Sequence, residues 1–200
     1  MQVRHNGSLH AIIGPMFSGK SSLMIGSVER YSLARKKCII IKHTIDQRFD
    51  EGAAIKTHAG FVHDMIPITY TSNLAQINAN DPFDQYDIIG IDELQFFALR
   101  EDEVCAVMDL IDEWILKGKV VICACLDTDW RREPFPILAK LIGRADYVTK
   151  LRAVCAICGE DAPFTSRTKC EGQLYDNPVG GSEKYTALCR QCYVCEASRR

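Results

Sequence analysis

Residues 14–21 read Gly14-Pro15-Met16-Phe17-Ser18-Gly19-Lys20-Ser21, and they match every position of the G-x-x-x-x-G-K-[ST] pattern. The apolar segment Leu9 to Ile13 before them is predicted to form a strand. The segment after them, Lys20 to Arg35, has helical periodicity. A loop between a strand and a helix is the context in which this pattern binds phosphate. Glycines let the backbone N–H groups curl around phosphate oxygens, and the helix N-terminus adds partial positive charge.

Two side chains of this loop have predicted roles of their own. The ammonium group of Lys20 is expected to reach the β- and γ-phosphates of a nucleotide, and the hydroxyl of Ser21 is expected to bind Mg²⁺. The alternative is a glycine turn that precedes a helix by chance. Eight matched positions in the required context favour the phosphate-binding interpretation.

The remainder of the first 150 residues alternates between short apolar runs and helical patterns. Val104 to Leu116 carries apolar residues at helical spacing, and a short helix is expected after Pro134, through Ile142. Further strands are predicted at Cys38 to Lys42, Ile88 to Ile91 and Val120 to Leu126. Strands that alternate with helices, and that read as continuous apolar runs, are typical of a doubly wound parallel sheet. The predicted fold is therefore α/β and similar to the P-loop NTPases.

Two acidic residues, Asp92 and Glu93, follow the strand Ile88 to Ile91 directly. In a parallel sheet the end of this strand faces the same crevice as the phosphate loop. Asp92 is therefore expected to hold Mg²⁺ together with the nucleotide. Adjacent residues of an extended segment point to opposite sides, so Glu93 is expected to face the acceptor and take a proton from its hydroxyl. The alternative for both is a helix cap or a solvated carboxylate.

The composition limits the class of protein. The chain has 200 residues, of which 47% are hydrophobic and 25% charged, and its net charge is -2. This charge argues against a broad nucleic-acid footprint. The polar residues 1–7 do not resemble a signal peptide, and the longest apolar run, Val120 to Leu126, is too short to span a membrane. We therefore expect a cytoplasmic protein without a membrane or nucleic-acid partner.

Six of the ten cysteines lie in the last quarter of the chain. Four of them form two C-x-x-C pairs, Cys155 with Cys158 and Cys189 with Cys192, which is the spacing of a closed, structural four-thiolate zinc site. Cys170 and Cys195 are the nearest competitors for ligation, but they belong to no such pair and are interpreted as unliganded. The cysteines at 38, 105, 123 and 125 are interpreted as small buried apolar residues. Apolar runs shorten from about residue 151. We therefore predict a nucleotide-binding domain over 1–150 and a zinc-binding domain over 151–200.

Taken together, these motifs resemble the type II thymidine kinases, the family of the vertebrate cytosolic and poxvirus enzymes. The match covers nearly the whole chain. Besides the phosphate loop, the matching stretches are Ile89-Gly90-Ile91-Asp92-Glu93, Gln95-Phe96-Phe97, Leu126-Asp127, Pro134-Phe135, Lys150-Leu151, Ala153-Val154-Cys155, Gly180-Gly181 and Lys184-Tyr185. The resemblance implies that the zinc-tied segment is a lasso loop that closes over thymidine.

The resemblance also implies positions for the nucleoside. Asp46 and Arg48 would lie near the acceptor sugar and phosphates, although a solvated surface pair is the commoner fate of such residues. The base and its surroundings would be contacted by Met16, Phe96, Phe135, Phe164, Thr165, Val179 and Tyr185. Without the resemblance, the phenylalanines at 96, 97 and 135 would be read as ordinary core residues.

The chain departs from the family at three positions. Leu94 stands where a glycine commonly follows the glutamate, Ser22 replaces a threonine, and Trp130 replaces a phenylalanine. A side chain at Leu94 is expected to crowd or restrict the turn that carries Glu93, if the backbone conformation of glycine is needed there. This departure bears on substrate range and rate, but not on the type of reaction.

The predicted function is an ATP-dependent thymidine kinase that also accepts deoxyuridine and produces the 5′-monophosphate for pyrimidine deoxynucleotide salvage and DNA synthesis. The resemblance implies a homotetramer, or a homodimer, and inhibition by the end product dTTP. Two alternatives remain at this point. One is a nucleic-acid-binding module with an NTP-driven switch, disfavoured because the C-terminal segment lacks a dense basic stripe with interleaved aromatic residues. The other is a kinase for a different small acceptor.

Overall fold

The structure is a computed structural model that describes residues 7–45, 66–74, 82–168 and 184–197. Its centre is a six-stranded sheet. In chain order the strands are β1 (Ser8–Gly14), β2 (Cys38–His43), β3 (Ile68–Thr71), β4 (Ile88–Ile91), β5 (Val120–Leu126) and β6 (Tyr147–Lys150). Their order across the sheet is β3-β2-β4-β5-β1-β6, and every neighbouring pair is parallel. All six carboxyl ends therefore lie along one edge of the sheet.

Helices cover both faces of the sheet, because the strand side chains point alternately to either side. One core joins Ile39 and Ile41 to Trp114 and Leu141, and the other joins Ile40 to Met24 on the opposite face. The helices are α1 (Lys20–Leu33), α2 (Glu101–Leu116) and α3 (Ile137–Arg144), with a 3₁₀ turn at Leu94–Phe97. The predicted α/β fold with a doubly wound parallel sheet is confirmed. Within the described ranges, no helix combines the length and apolarity needed to cross a membrane.

Two strands of the sheet were not predicted from the sequence. β3 is half-buried along its whole length, and β6 is exposed along its whole length. Both lie at the edges of the sheet, where a strand needs no continuous apolar run. Among the described residues, the strand Ile88–Ile91 is consequently the fourth of the sheet and not the third.

Beyond the sheet the chain forms short antiparallel pairs around a small core. The elements are β7 (Ala153–Val154), β8 (Asp161–Ala162), β9 (Phe164–Arg167), β10 (Tyr185–Leu188) and α4 (Arg190–Ala197). β7 pairs with β8, and β9 pairs with β10. The core consists mainly of alanines and cysteines around Leu188 and Tyr193. We refer to residues 153–168 and 184–197 as the cysteine module.

Candidate active site

The predicted phosphate loop connects β1 to α1. Gly14 and Gly19 have φ angles of 149° and 80°, in the left-handed range that favours glycine. A Cβ on Gly14 would lie 2.7 Å from the carbonyl oxygen of Leu151, so the chain after β6 also requires glycine here. Inside the loop, Ser18 Oγ and Lys20 Nζ both donate to the carbonyl oxygen of Pro15, at 2.8 and 2.7 Å. The lysine, although buried, is thus held by the loop itself.

The loop is linked to the end of β4 through Asp92. The Ser21 hydroxyl donates to Asp92 Oδ1 at 2.9 Å, and the backbone N–H of Glu93 donates to the same oxygen at 3.1 Å. The other oxygen, Oδ2, lies 3.9 Å from Lys42 Nζ at the end of β2. Asp92 and Lys42 are both buried. A hydroxyl and an oriented carboxylate side by side are the oxygen ligands that Mg²⁺ takes in proteins.

Glu93 lies in a turn, and not on the extended segment that the sequence predicted. Its φ and ψ angles are 51° and 45°, a left-handed conformation that costs a residue with a side chain roughly 1–3 kcal/mol. The 3₁₀ turn starts directly after Glu93. The side chain of Leu94, its first residue, is fully buried in the core that contains Trp114. Leu94 itself has no positive φ angle. Leu94, which stands in place of a glycine, therefore anchors the turn through its buried side chain. The residue with a strained backbone is Glu93 and not Leu94.

A buried glutamine holds the glutamate. Gln95 Nε2 donates to Glu93 Oε2, and Gln95 Oε1 accepts from the backbone N–H of Leu126 at 3.0 Å. The charges of Glu93 and Lys20 both act on the thiol of Cys125 on β5, whose pKa is raised mainly by burial. The hydrogen bonds of Gln95 therefore link Glu93 to the end of β5 at the carboxyl edge of the sheet.

Three residues at this edge were not assigned from the residue patterns: Lys42, Gln95 and Asp127. Asp127 directly follows β5 and is buried. Its Oδ2 atom lies 3.0 Å from Lys150 Nζ. The sequence did carry a signal for two of them. Lys42 and Asp127 stand at the ends of apolar runs, as Asp92 does. Nothing in the pattern marks Gln95, because its contacts depend on how β5 lies beside β4.

The four cysteines of the two C-x-x-C pairs come together. Their Sγ atoms all lie within 4.8 Å of one another, and Cys158 Sγ is 3.6 Å from Cys189 Sγ and 3.7 Å from Cys192 Sγ. A tetrahedral zinc site with Zn–S bonds of ~2.3 Å requires S···S separations of ~3.8 Å. Burial raises the pKa of the Cys155 thiol, but backbone N–H groups, among them that of Cys189, lower it to about 6. The cluster can therefore hold a metal ion.

Of the four cysteines interpreted as buried apolar residues, three are buried, but Cys105 is exposed, so the interpretation is wrong for Cys105. Cys195 is also exposed and lies outside the four-cysteine cluster, and Cys170 lies outside the described residues. Burial raises the pKa of Cys38 to about 11 and raises those of Cys123 and Cys125 as well. These three are inert thiols, as the sequence predicted. Cys105 differs, since its Sγ lies on the surface of α2, 3.1 Å from Lys140 Nζ.

The cysteine module packs against the phosphate loop and against a second loop, residues 128–134, that follows β5. The Thr165 hydroxyl accepts from the backbone N–H of Met16 at 3.0 Å, and Tyr193 Oη donates to the Trp130 carbonyl at 2.7 Å. Arginines lie over the aromatic rings: Arg132 is 4.9 Å from the Tyr193 ring, and Arg190 is 4.9 Å from the Phe164 ring. These contacts place Phe164 and Thr165 beside the phosphate loop.

The predicted nucleoside residues that the structure describes lie in several different elements. Tyr185 is buried in the module, and burial raises the pKa of its hydroxyl. Phe135 and Phe96 are half-buried, and the Phe96 ring lies 6.1 Å from that of His43. Phe97 is a core residue. Asp46, Arg48 and Val179 lie outside the described residues, as do residues 169–183 in the segment between the two cysteine pairs.

Comparisons with known proteins match this chain to one family. A family model described as "Thymidine kinase" matches residues 7–193. The protein named thymidine kinase of Yaba monkey tumor virus is 40% identical over 188 residues, covering 94% of this chain and 95% of that protein. Those of Myxoma virus (strain Lausanne) and Sheeppox virus are each 37% identical, over 94% and 95% of this chain and 97% and 98% of their own lengths.

A solved structure shares the fold alone. The flagellar accessory protein FlaH from Methanocaldococcus jannaschii superposes with a TM-score of 0.52 at 13% identity, over 78% of this chain and 75% of that one.

Proposed function

Because the chain belongs to the thymidine kinase family, we propose that it transfers the γ-phosphoryl group of ATP to the 5′-hydroxyl of thymidine, and of deoxyuridine. The product is the 5′-monophosphate used in pyrimidine deoxynucleotide salvage for DNA synthesis. One observation carries the proposal beyond family membership. The hydrogen bond from Ser21 to Asp92 joins the phosphate loop to the strand that bears Glu93, so the nucleotide-binding and acceptor-facing groups form one site.

The mechanism assigns one task to each group at this edge. The backbone of residues 14–21 binds the phosphates, and Lys20 leaves the Pro15 carbonyl to donate to the β- and γ-phosphate oxygens. Glu93 accepts the proton of the 5′-hydroxyl as this oxygen attacks the γ-phosphorus and the bond to the β-phosphate oxygen breaks. Positioning and charge neutralisation supply most of the rate in phosphoryl transfer.

Two metal ions belong to the proposal. Ser21 and Asp92 hold Mg²⁺, which neutralises charge on the β- and γ-phosphates when bound with ATP. Cys155, Cys158, Cys189 and Cys192 hold a structural Zn²⁺, supported by sulfur separations that fit a tetrahedral site. The zinc site is closed by four thiolates and takes no part in the chemistry.

The nucleoside is placed between the sheet and the cysteine module. Support comes from the contact of Thr165 with Met16 and from the aromatic residues around it. We assign the base and sugar contacts to Met16, Phe96, Phe135, Phe164, Thr165 and Tyr185, together with Asp46, Arg48 and Val179. Residues 1–150 form the nucleotide-binding domain in this proposal, and residues 151–200 form the domain that closes over the nucleoside. The sheet ends at Lys150, and the short strands begin at Ala153.

The proposal extends to assembly and regulation by family resemblance: a cytoplasmic homotetramer, or homodimer, that is inhibited by dTTP. Light scattering of the purified protein measures the assembly, and steady-state rates with added dTTP measure the inhibition. A dimeric or tetrameric mass and a fall in rate with dTTP are expected. A monomer, or a rate independent of dTTP, would contradict the corresponding part.

The central test is Glu93→Gln, which keeps the shape and reach of the side chain but removes the proton acceptor. General-base assistance contributes about 10²–10⁴-fold, so kcat for thymidine should fall by about that factor while ATP binding changes little. A smaller loss would mean that Glu93 mainly orients the hydroxyl, because a loose transition state leaves little proton transfer to assist. Retention of most of the turnover would show that the base is elsewhere.

Asp92→Asn is the matched comparison, since it changes the neighbouring carboxylate in the same conservative way. Loss of this charge should weaken the dependence on Mg²⁺ and the affinity for ATP together. The two variants should therefore differ in which kinetic parameter they change. A screen of nucleoside acceptors with labelled ATP, beside a gel shift with oligonucleotides, tests the activity itself. Transfer to thymidine is expected, and oligonucleotide binding without transfer would overturn the assignment.

A further inference from the structure

The carboxylate of Glu93 is held by a residue to which the proposed mechanism gives no task. Gln95 is fully buried, although it is polar. Its single carboxamide group makes two hydrogen bonds, in which Nε2 donates to Glu93 Oε2 and Oε1 accepts from the backbone N–H of Leu126 at the end of β5. The side chain therefore ties the glutamate to a strand of the sheet, next to the strand that carries it.

We propose that Gln95 is a positioning residue for Glu93, which fixes one carboxylate oxygen so that the other faces the acceptor hydroxyl. The inference rests on the proposed function of Glu93 as the base. A glutamate at the start of a turn has several rotamers within reach, and its backbone here is strained. A hydrogen bond to a group that is itself anchored on β5 selects one rotamer before the substrate arrives. Such preorganisation is what catalysis by position requires.

The chemistry favours a carboxamide over other side chains at this position. The N–H group of Leu126 needs an acceptor, and an ionised glutamate needs a donor. A neutral amide supplies both without adding charge.

The substitution Gln95→Glu separates these two tasks. The variant keeps the size and the acceptor for the Leu126 N–H, but it replaces the donor to Glu93 by a second carboxyl group. Two ionised carboxylates repel each other, so the side chain of Glu93 is no longer held in one rotamer by this contact. Other titratable groups around the site are unchanged by the substitution: Lys20, Lys42, Asp92, Cys125 and Asp127.

Three measurements on Gln95→Glu test the inference. The value of kcat for thymidine at neutral pH should fall about 10–100-fold, while KM for ATP and thymidine stays within about threefold of the wild type. Thermal unfolding and zinc content should change little, because the anchor to β5 is kept. Gln95→Met, which loses both hydrogen bonds, should lower kcat and the unfolding temperature together.

The double variant Glu93→Gln/Gln95→Glu tells whether Gln95 acts through Glu93. If it does, kcat of the double variant should lie within about threefold of kcat of Glu93→Gln alone, because the second substitution has no base left to misplace. If the two residues acted independently, the two losses in kcat would multiply. Wild-type kcat in Gln95→Glu, or multiplied losses in the double variant, would overturn the inference. Retained turnover in Glu93→Gln would instead contradict the proposed base, and so the two failures are distinguishable.

Discussion

At the scale of single residues, two side chains of the phosphate loop share one acceptor and differ in charge. Ser18 Oγ and Lys20 Nζ both donate to the carbonyl oxygen of Pro15. Both therefore stabilise the shape of the loop, but only the lysine carries a positive charge to the phosphates. Substituting each in turn separates loop shape from charge.

We expect Lys20→Ala to reduce kcat at least about 10²–10³-fold, which is the range for removing one group that stabilises charge in a transition state. Circular dichroism and the unfolding temperature should remain close to those of the wild type. Ser18→Ala, the control, removes a donor to the same carbonyl without a change of charge and should cost much less activity. Equal losses in the two variants would show that the shape of the loop matters and that the charge does not.

The sequence predicted the residues of the site whose roles depend on local spacing. The pattern at residues 14–21 and the acidic pair after β4 imply that Ser21 and Asp92 lie close together, and they are hydrogen bonded. Lys42 and Gln95 were missed, because their contacts depend on which strand lies beside which. The strand order places β2 and β5 on either side of β4, and no single-sequence pattern contains that order.

At the scale of elements, a buried lysine at the opposite edge of the sheet holds the loop that leads into β4. Lys119 directly precedes β5, and its ammonium group donates to three carbonyl oxygens, those of Phe83, Asp84 and Tyr86. Lys117, two residues earlier, lies on the surface, with Nζ 3.1 Å from a carboxylate oxygen of Asp84. The two lysines reach the same loop from different environments.

Lys119→Met should lower the free energy of unfolding by about 1–3 kcal/mol, the cost of leaving buried polar groups without partners. Its kcat should be unchanged, since the substitution lies far from the carboxyl edge of the sheet. Lys117→Met should have little effect on stability, because exposed ion pairs contribute little. Urea unfolding of both variants gives the comparison. The interpretation fails if Lys117→Met is the more destabilising of the two.

Strands buried on both faces were predictable, and edge strands were not. β4 and β5 coincide with the apolar runs that predicted them. β3, with the sequence Ile68-Thr69-Tyr70-Thr71, has only half-buried side chains. Such a segment becomes a strand because β2 offers it hydrogen-bonding partners, which is a property of the assembled sheet.

At the scale of the whole molecule, the sheet and the cysteine module depend on different sources of stability. The sheet has large apolar cores on both faces. The module core has mostly alanines and cysteines, with Leu188 and Tyr193 among its few large side chains. A core this small does not hold a fold by burial alone. We therefore expect the module to fold only with its metal ion.

The Cys155→Ser/Cys189→Ser variant should lose the bound zinc, which elemental analysis should find at one per chain in the wild type. Hydrogen exchange of Tyr185–Leu188 should then become fast, while Ile88–Ile91 stays protected. Thymidine phosphorylation should be lost with the module. Cys105→Ser, a control outside the cluster, should retain zinc, protection and activity. Full zinc content in the double variant, or protection of the module without zinc, would contradict the expectation.

Because β1 pairs with strands that come much later in the chain, it remains unpaired during most of translation. β1 precedes the other strands of the sheet in the chain, yet its neighbours are β5 and β6, so that Ser8 pairs with Val120 and His10 with Tyr147. Synthesis proceeds at about 5–20 residues per second, so the apolar β1 waits on the order of 10 s for its first partner to leave the ribosome. The nascent chain carries an unpaired apolar strand during this time, which creates a need for chaperones. The phosphate loop is thus synthesised before the rest of the carboxyl edge, and the strand that leads into it pairs in the sheet only after β5 has been synthesised.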